Sequence, residues 1–66
     1  MNLSHCYNTR LIRMSIQEAN GRIRWCADNF GDRDIKWTVR CHDRSRYEWW
    51  FENKDDLVWF GLVWES

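Results

Sequence analysis

Residues 35–52 of this 66-residue chain read IKWTVRCHDRSRYEWWFE, and this stretch decides the fold. Apolar and polar residues alternate along 35–42 and again along 46–52, which is the period of a strand that buries one face. A three-residue loop at 43–45 between the two runs predicts an antiparallel hairpin. This loop contains no glycine or asparagine, the residues that short hairpin turns favour.

The register that follows from this loop gives each face of the hairpin a consistent character. Apolar side chains oppose each other on the inner face, whereas the outer face combines opposite charges with a threonine–tryptophan pair. The inner pairs are Val39 with Trp49 and Trp37 with Phe51, and the outer pairs are Arg40 with Glu48, Thr38 with Trp50 and Lys36 with Glu52. A slip of one residue would place the members of every pair on opposite faces, so the pattern specifies this register.

A helix is predicted over residues 16–30. Ser15 and Glu18 form a capping box at its start, and Gly31 suits the left-handed conformation that ends helices. Between them one stripe of apolar residues recurs at spacings of three and four, namely Ile16, Ala19, Ile23, Cys26, Ala27 and Phe30. Trp25 lies opposite this stripe on a helical projection, so we expect its side chain to be exposed.

A second helix is predicted over roughly residues 54–62. Asn53 is its N-cap, and Asp55 and Asp56 lie at the positive end of the helix dipole. Residues 57–64, LVWFGLVW, are apolar on all sides, which fits either a buried helix or a short strand, and we favour the helix. One small core cannot bury all of these side chains. Those expected to remain outside and to support self-association are Val58, Trp59, Leu62 and Val63.

The predicted order of elements is (β)αββα in a single domain, residues 1–66, with the first strand within residues 3–14. This order belongs to the α+β class, with a central antiparallel hairpin covered by helices. Proline is absent and there are only three glycines, so the chain contains no linker or repeat. The expected core consists of Ile23, Cys26, Phe30, Trp37, Val39, Trp49, Phe51, Leu57 and Phe60.

The formal net charge of zero conceals an uneven distribution. Residues 1–46 contain nine Lys or Arg and five Asp or Glu, whereas residues 47–66 contain one and five, so the two parts carry +4 and −4. Two interpretations stay open. Either the two parts pair in the folded chain, or they leave a dipolar surface that steers a charged partner.

The cysteines and the hydropathy pattern bear on the cellular compartment. Cys6, Cys26 and Cys41 are an odd number without a CxxC motif, which fits a reducing compartment better than a disulfide framework. No basic segment followed by an apolar one opens the chain, so no signal peptide is expected. The apolar run at 57–64 is too short to span a bilayer. We therefore expect a soluble protein of the cytoplasm without a membrane partner.

No arrangement of residues indicates catalysis, a metal or a cofactor. Cys41 and His42 are neighbours in a predicted strand, so they point to opposite faces and cannot easily share one metal ion. His42, Asp43 and Ser45 crowd one turn, without a further group to orient a base and without an oxyanion site. We therefore expect a binding protein and not an enzyme.

Protein–protein interaction is the function that the sequence favours, because tryptophan and arginine are the residues most enriched at binding hot spots. The residues predicted to lie off the core and to contact a partner are Arg22, Trp25, Arg40, Arg44, Arg46 and Trp50. The partner would be a host or viral protein, or a second copy of the chain.

Binding of single-stranded nucleic acid is the alternative, because faces that combine basic and aromatic residues stack single strands. On the outer face of the 35–52 hairpin these residues are Lys36, Arg40, Arg44, Arg46 and Trp50. Glu48 and Glu52 lie in the same rows and reduce the positive potential that phosphates require. The sequence therefore supports nucleic-acid binding less strongly than protein binding.

Three segments in this order suggest a family resemblance: WCADNFG at 25–31, WTV at 37–39 and WFENKDDLVWFGLVW at 50–64. With them the chain resembles short accessory proteins of tailed phages, notably marine cyanophage-type ones, over about residues 20–65. In that family a tryptophan–cysteine helix precedes a hairpin and a closing segment of the type F-E-x-x-x-D-A-x-x-F-x-L-x-W. Leu57 departs from the alanine of this pattern, and Gly61 stands where a lysine is common. The resemblance implies a virus-encoded origin and a binding role in the infected cell, without an assigned activity.

Overall fold

The structure, a computed structural model, describes residues 1–65. It contains two helices and four short strands, which form one antiparallel sheet. In chain order the elements are a 3₁₀ helix (Leu3–His5), β1 (Tyr7–Asn8), β2 (Ile12–Arg13), α1 (Ile16–Phe30), β3 (Trp37–Cys41), β4 (Arg46–Phe51) and α2 (Lys54–Trp64). The expected α+β class is confirmed.

The β3–β4 hairpin has the predicted register. Both inner pairs and the outer pairs Arg40–Glu48 and Thr38–Trp50 are observed between β3 and β4. The third outer pair, Lys36 with Glu52, lies just beyond the two strands and is joined by a hydrogen bond of 2.9 Å from the Glu52 amide to the Lys36 carbonyl. Both strands are slightly shorter than predicted, because pairing of the ladder within β3 begins at Trp37 and not at Ile35. Ile35 is 61% exposed and belongs to the loop that follows α1.

The hairpin loop uses an aspartate in place of the glycine that such turns favour. The His42 amide closes the loop by donating to the Arg46 carbonyl at 2.9 Å. One carboxylate oxygen of Asp43 accepts from the amides of Ser45 and Arg46, both at 3.0 Å. A side chain that satisfies the turn amides makes the loop feasible without a left-handed residue.

β4 is the central strand of the sheet. β3 lies along one of its edges, and β1 and β2 follow one another along the other. Asn8 pairs with Trp50 and Ile12 with Tyr47, so the three residues 9–11 oppose only the two residues 48–49. The extra residue is a β-bulge, which twists the edge and interrupts its pairing.

Thr9 occupies this bulge and repairs the hydrogen-bond ladder. Its amide donates to the Trp49 carbonyl at 2.9 Å, and its hydroxyl oxygen accepts from the Trp49 amide at 3.0 Å. A side-chain oxygen thus replaces the backbone carbonyl that the bulge displaces, and the amide of a fully buried tryptophan keeps a partner.

Helix α1 has the predicted bounds and caps. The Ser15 hydroxyl oxygen accepts from the Glu18 amide at 3.2 Å, and Gly31 ends the helix with a φ of 92°. The indole N–H of Trp37 donates to the Gly31 carbonyl at 2.8 Å, which ties the end of α1 to the start of β3. Ile16 and Ala27, both in the predicted stripe, are exposed. The buried face is rotated away from them because α1 packs against α2 as well as against the sheet.

Helix α2 is confirmed as a helix and runs to Trp64, two residues beyond the predicted end. The Asn53 side-chain oxygen accepts from the Asp55 amide at 3.0 Å, as expected of the N-cap. Across residues 1–65, no helix has both the length and the apolar character needed to cross a membrane.

The core lies between the inner face of the sheet and the two helices. Its buried apolar residues are Met14, Ala19, Cys26, Trp37, Val39, Tyr47, Trp49, Phe51 and Phe60. Ile23, Phe30 and Leu57, which were predicted to be core residues, are partly buried at its border. Met14 was missed because its burial depends on the path of the N-terminal segment along β4.

We expect the Thr9→Ala variant to lower the free energy of unfolding by about 1–3 kcal/mol, because the Trp49 amide would lose its acceptor in a buried position. Denaturant unfolding followed by tryptophan fluorescence measures this change. Thr9→Ser is the matched control, since it keeps the hydroxyl oxygen and should remain closer to the wild type. Equal stability of the alanine variant and the wild type would contradict the role given to this hydroxyl.

Candidate functional site

Trp25 lies between the two helices, and the expectation that it is exposed is wrong. Its side chain is half-buried and makes edge-on contacts with four aromatic rings at centroid distances of 5.1 to 6.2 Å. These rings belong to Phe30, Trp59, Phe60 and Trp64. Helix α2 returns along α1 and covers Trp25, a contact that the periodicity of α1 alone does not contain. Aromatic pairs of this geometry stabilise the fold beyond their buried area.

Arg22, another predicted contact residue, is also engaged within the chain. Its guanidinium carbon lies 5.3 Å from the centroid of the Trp64 ring, a cation–π contact. Its Nη1 donates to the sulfur of Met14 at 2.7 Å. Arg22 therefore joins α1, α2 and the N-terminal segment.

One side of α2 is apolar and exposed. Val58, Trp59, Leu62 and Val63 are 51%, 44%, 66% and 46% exposed, respectively. Residues at this spacing are neighbours on a helix, so they form one continuous surface, which we call the α2 face. The expectation that these four side chains remain outside the core is confirmed.

A polar groove borders the α2 face at the N-terminal end of the helix. It has a volume of about 280 Å³ and is lined by Asn29, Phe30, Lys36, Glu52, Asn53, Asp56 and Trp59. Burial raises the pKa of Asp56, the nearby Lys36 lowers it, and Asp55 raises it further. Trp59 thus lies at the boundary between an apolar surface and a polar one.

Trp50 lies on the outer face of the sheet, off the core as predicted, and it is only partly exposed. It is on the central strand between Asn8 and Thr38, and Thr38 itself is only 7% exposed. The indole N–H of Trp50 is buried and has no hydrogen-bond partner among residues 1–65. Met1 and Leu3 line a cavity with Thr38, so the N-terminal turn approaches this part of the face.

Glu48 is hydrogen-bonded at both carboxylate oxygens on the same outer face. Oε2 accepts from the Asn8 side-chain amide at 2.6 Å, and Oε1 lies 2.9 Å from Nε2 of His42. The Glu48 side chain is 14% exposed. Arg40 stands opposite Glu48 in the ladder but forms no salt bridge with it.

Arg46 pairs with Asp43 at the hairpin turn. Arg46 Nε and Nη2 both lie 2.6 Å from one Asp43 carboxylate oxygen. The hydrogen bond from Arg46, together with that from the Ser45 amide, lowers the pKa of Asp43. Arg44 is exposed at the tip of the same turn.

Only two salt bridges occur within residues 1–65, Arg46 with Asp43 and His42 with Glu48. Neither joins a Lys or Arg of residues 1–46 to an acidic residue of 47–65. The interpretation in which the two charged parts neutralise each other through such pairs is therefore wrong for this part of the chain. The alternative, a dipolar surface that steers a charged partner, stays a prediction.

The structure brings one further basic residue to the outer face, Arg13, which pairs directly with Arg46. Arg13 was not among the predicted contact residues, because the pairing of residues 12–13 with β4 cannot be read from the sequence. The sequence feature that indicates this strand is the pair Leu11 and Ile12 flanked by Arg10 and Arg13, which is compatible with a short edge strand.

The three cysteines have different environments. Cys26 is fully buried, and burial raises the pKa of its thiol to about 12. Cys41 is exposed at the end of β3. No cluster of three or more His, Cys, Asp or Glu side chains within residues 1–65 is arranged to hold a metal ion.

Comparison with known proteins gives no relative: no family model matches the chain, and neither the curated proteins nor the solved structures contain a match. The assignment of a function therefore depends on the chemistry of these surfaces.

We expect Trp25→Ala to lower the free energy of unfolding by about 3 kcal/mol, because it removes the ring that α2 packs against. Urea denaturation measures the loss. Arg24→Ala, which alters the exposed neighbour, should change stability by less than about 0.5 kcal/mol. A Trp25→Ala variant as stable as the wild type would show that Trp25 does not contribute to the packing between the two helices.

We expect a thiol reagent to modify Cys6 and Cys41 rapidly at pH 8 while Cys26 reacts only on unfolding. The thiolate is the reactive form, and with a pKa of about 12 Cys26 remains protonated at this pH. Mass spectrometry of the labelled protein with and without denaturant distinguishes the sites. Labelling of all three cysteines at one rate in the native protein would contradict the burial of Cys26.

Proposed function

We propose that this protein is a protein–protein interaction module that acts by binding, and that the α2 face is its contact surface. The observation that carries the proposal is the exposure of four adjacent apolar side chains on one helix, with no charged residue among them. Exposed apolar surfaces of this kind, bordered by polar residues, are characteristic of sites that bind other proteins.

The packing behind the α2 face favours binding because it holds Trp59, the largest residue of this face, in place. Trp59 is braced by edge-on contacts with Trp25 at 5.1 Å and with Phe30 at 5.4 Å. Phe60, next in the chain, is fully buried and anchors the helix to the sheet. A surface whose side chains are already ordered loses less entropy on association.

The borders of the α2 face fit the anatomy of a protein interface. Trp59 combines a large apolar surface with an indole N–H, and tryptophan is among the residues most enriched at hot spots. The groove beside it supplies Asn29, Glu52 and Asp56 for polar contacts at a rim. A partner helix or loop with an apolar centre and polar flanks would match this arrangement.

The partner class follows from the sequence resemblance. We propose a host or viral protein, or a second copy of the chain, and a virus-encoded origin with a site of action in the cytoplasm of the infected cell. Support for this origin comes from the aromatic and acidic pattern of about residues 20–65.

The Leu62→Lys variant tests the α2 face. Leu62 is 66% exposed, so the charge should leave the fold intact while placing a cation at the centre of the contact. We expect binding to weaken by about 2 kcal/mol or more, which is about thirtyfold in Kd. The measurement combines capture of partners from nuclease-treated bacterial lysate with light scattering of the purified protein over a concentration series.

Gln17→Lys is the matched control, because it adds the same charge at an exposed position of α1. A partner or a self-associated state that Gln17→Lys keeps and Leu62→Lys loses would support the proposal. If wild type and both variants capture the same proteins and have the same oligomeric state, the α2 face is not the contact surface.

A further inference from the structure

Three basic side chains form a row across the outer face of the sheet at its hairpin end. Arg13 in β2 pairs with Arg46 in β4, and on the other side of Arg46 lies His42. Side chains alternate along a strand, so Arg46 shares its face with Glu48 and Trp50. We call Arg13, Arg46 and His42 the basic row.

Arg13 and Arg46 occupy the type of antiparallel pair in which the two Cα atoms are closer together. The Met14 amide donates to the Ser45 carbonyl at 2.8 Å, so Met14 and Ser45 form the hydrogen-bonded pair next to Arg13 and Arg46. Arg13 and Arg46 therefore form a non-hydrogen-bonded pair, in which Cα atoms approach to about 4.5 Å and side chains are closest. Like charges directly opposite each other in a sheet are destabilising. The register thus places two like charges opposite each other, a position at which a bound anion would be favourable.

The positive charge of Arg13 and Arg46 is only partly compensated by acidic residues of the chain. Asp43 binds Arg46, whereas Arg13 has no salt bridge within residues 1–65. Glu48 is mostly covered, and its oxygens are occupied by Asn8 and His42. The arginines in the hairpin loop and in the paired positions beside it are Arg13, Arg40, Arg44 and Arg46, and against Asp43 and Glu48 they leave a formal charge of +2.

We propose that the basic row binds the phosphate backbone of a single-stranded nucleic acid. Guanidinium groups donate paired hydrogen bonds to phosphate oxygens, and one phosphate between Arg13 and Arg46 would turn their repulsion into two charge-assisted contacts. This site goes beyond the proposed protein contact, because it lies on the sheet face opposite to the helices and does not involve α2.

Trp50 favours a single strand over a duplex. It lies on the same face, four residues from Arg46 along β4, which is about 13 Å. Trp50 is partly exposed, and stacking on an aromatic ring requires an unpaired base. A single strand with its phosphates on the basic row can place a base there, whereas the bases of a duplex are stacked inside the helix.

The test is a fluorescence anisotropy titration of the wild-type protein with a labelled 20-nucleotide oligothymidine at several salt concentrations. We expect binding at low salt that weakens as salt rises. In the Arg13→Ala variant we expect weaker binding and a salt slope reduced by about 0.7, the loss of one phosphate contact. Arg24→Ala on α1 is the charge-matched control and should retain the wild-type slope. Leu62→Lys should bind the oligonucleotide as the wild type does, which separates this test from that of the α2 face.

Thermal unfolding of Arg13→Ala completes the test, because removal of a like-charge pair should leave Tm unchanged or raised. Weaker binding together with a lowered Tm would make Arg13 a structural residue and overturn the proposal. It would also fail if the wild type does not bind at about 50 µM protein in low salt, if Arg24→Ala loses as much affinity as Arg13→Ala, or if a duplex of equal length binds as tightly as the single strand.

Discussion

The structure depends on the double pairing of β4. This strand is hydrogen-bonded along both edges, and its inner residues Tyr47, Trp49 and Phe51 are no more than 7% exposed. A row of three large aromatic side chains on one face requires a cover of similar size. The Phe60 ring provides its centre, with centroids 5.3 Å from Trp49 and 5.4 Å from Phe51. The position of α2 is therefore set by the need to bury β4.

Anchoring α2 through Phe60 determines which of its residues remain exposed. A helix that is apolar on all sides but packs on only one side must leave an apolar surface outside. Among the elements that residues 1–65 form, none packs over this side of α2, and its apolar side chains are exposed. The position of α2 thus explains both the α2 face and the burial of Trp25. One side of α2 packs on the sheet and on Trp25 of α1, and the other side is left exposed.

The two faces of the sheet support different chemistries. The inner face holds the helices, one of which exposes the apolar α2 face, whereas the outer face carries the basic row. Arg13 and Arg46 are like charges at directly opposed positions of the ladder, an arrangement that disfavours strand pairing. Natural sheets usually place opposite charges at such positions, as the ladder does where Arg40 opposes Glu48. Proteins tend to keep such local conflicts at functional sites.

The sequence by itself determined the features that depend on neighbours in the chain. The caps of α1 and α2 use side chains two or three residues from the amides that they bind, and the hairpin register follows from the two-residue period and the loop length. The surplus of apolar side chains on α2 was also predictable, because residues 57–64 contain more apolar side chains than one small core can bury.

Tertiary structure decided what depends on residues distant in the chain. Trp25 is covered by a helix that begins about thirty residues later, and Arg13 meets Arg46 only because a bulge at Thr9 shifts β2 by one residue along β4. Cys41 emerges at the end of a strand beyond the cover of the helices. Periodicity describes which side of an element is apolar, but not which other elements reach it, and for that reason the site residues were less predictable than the fold.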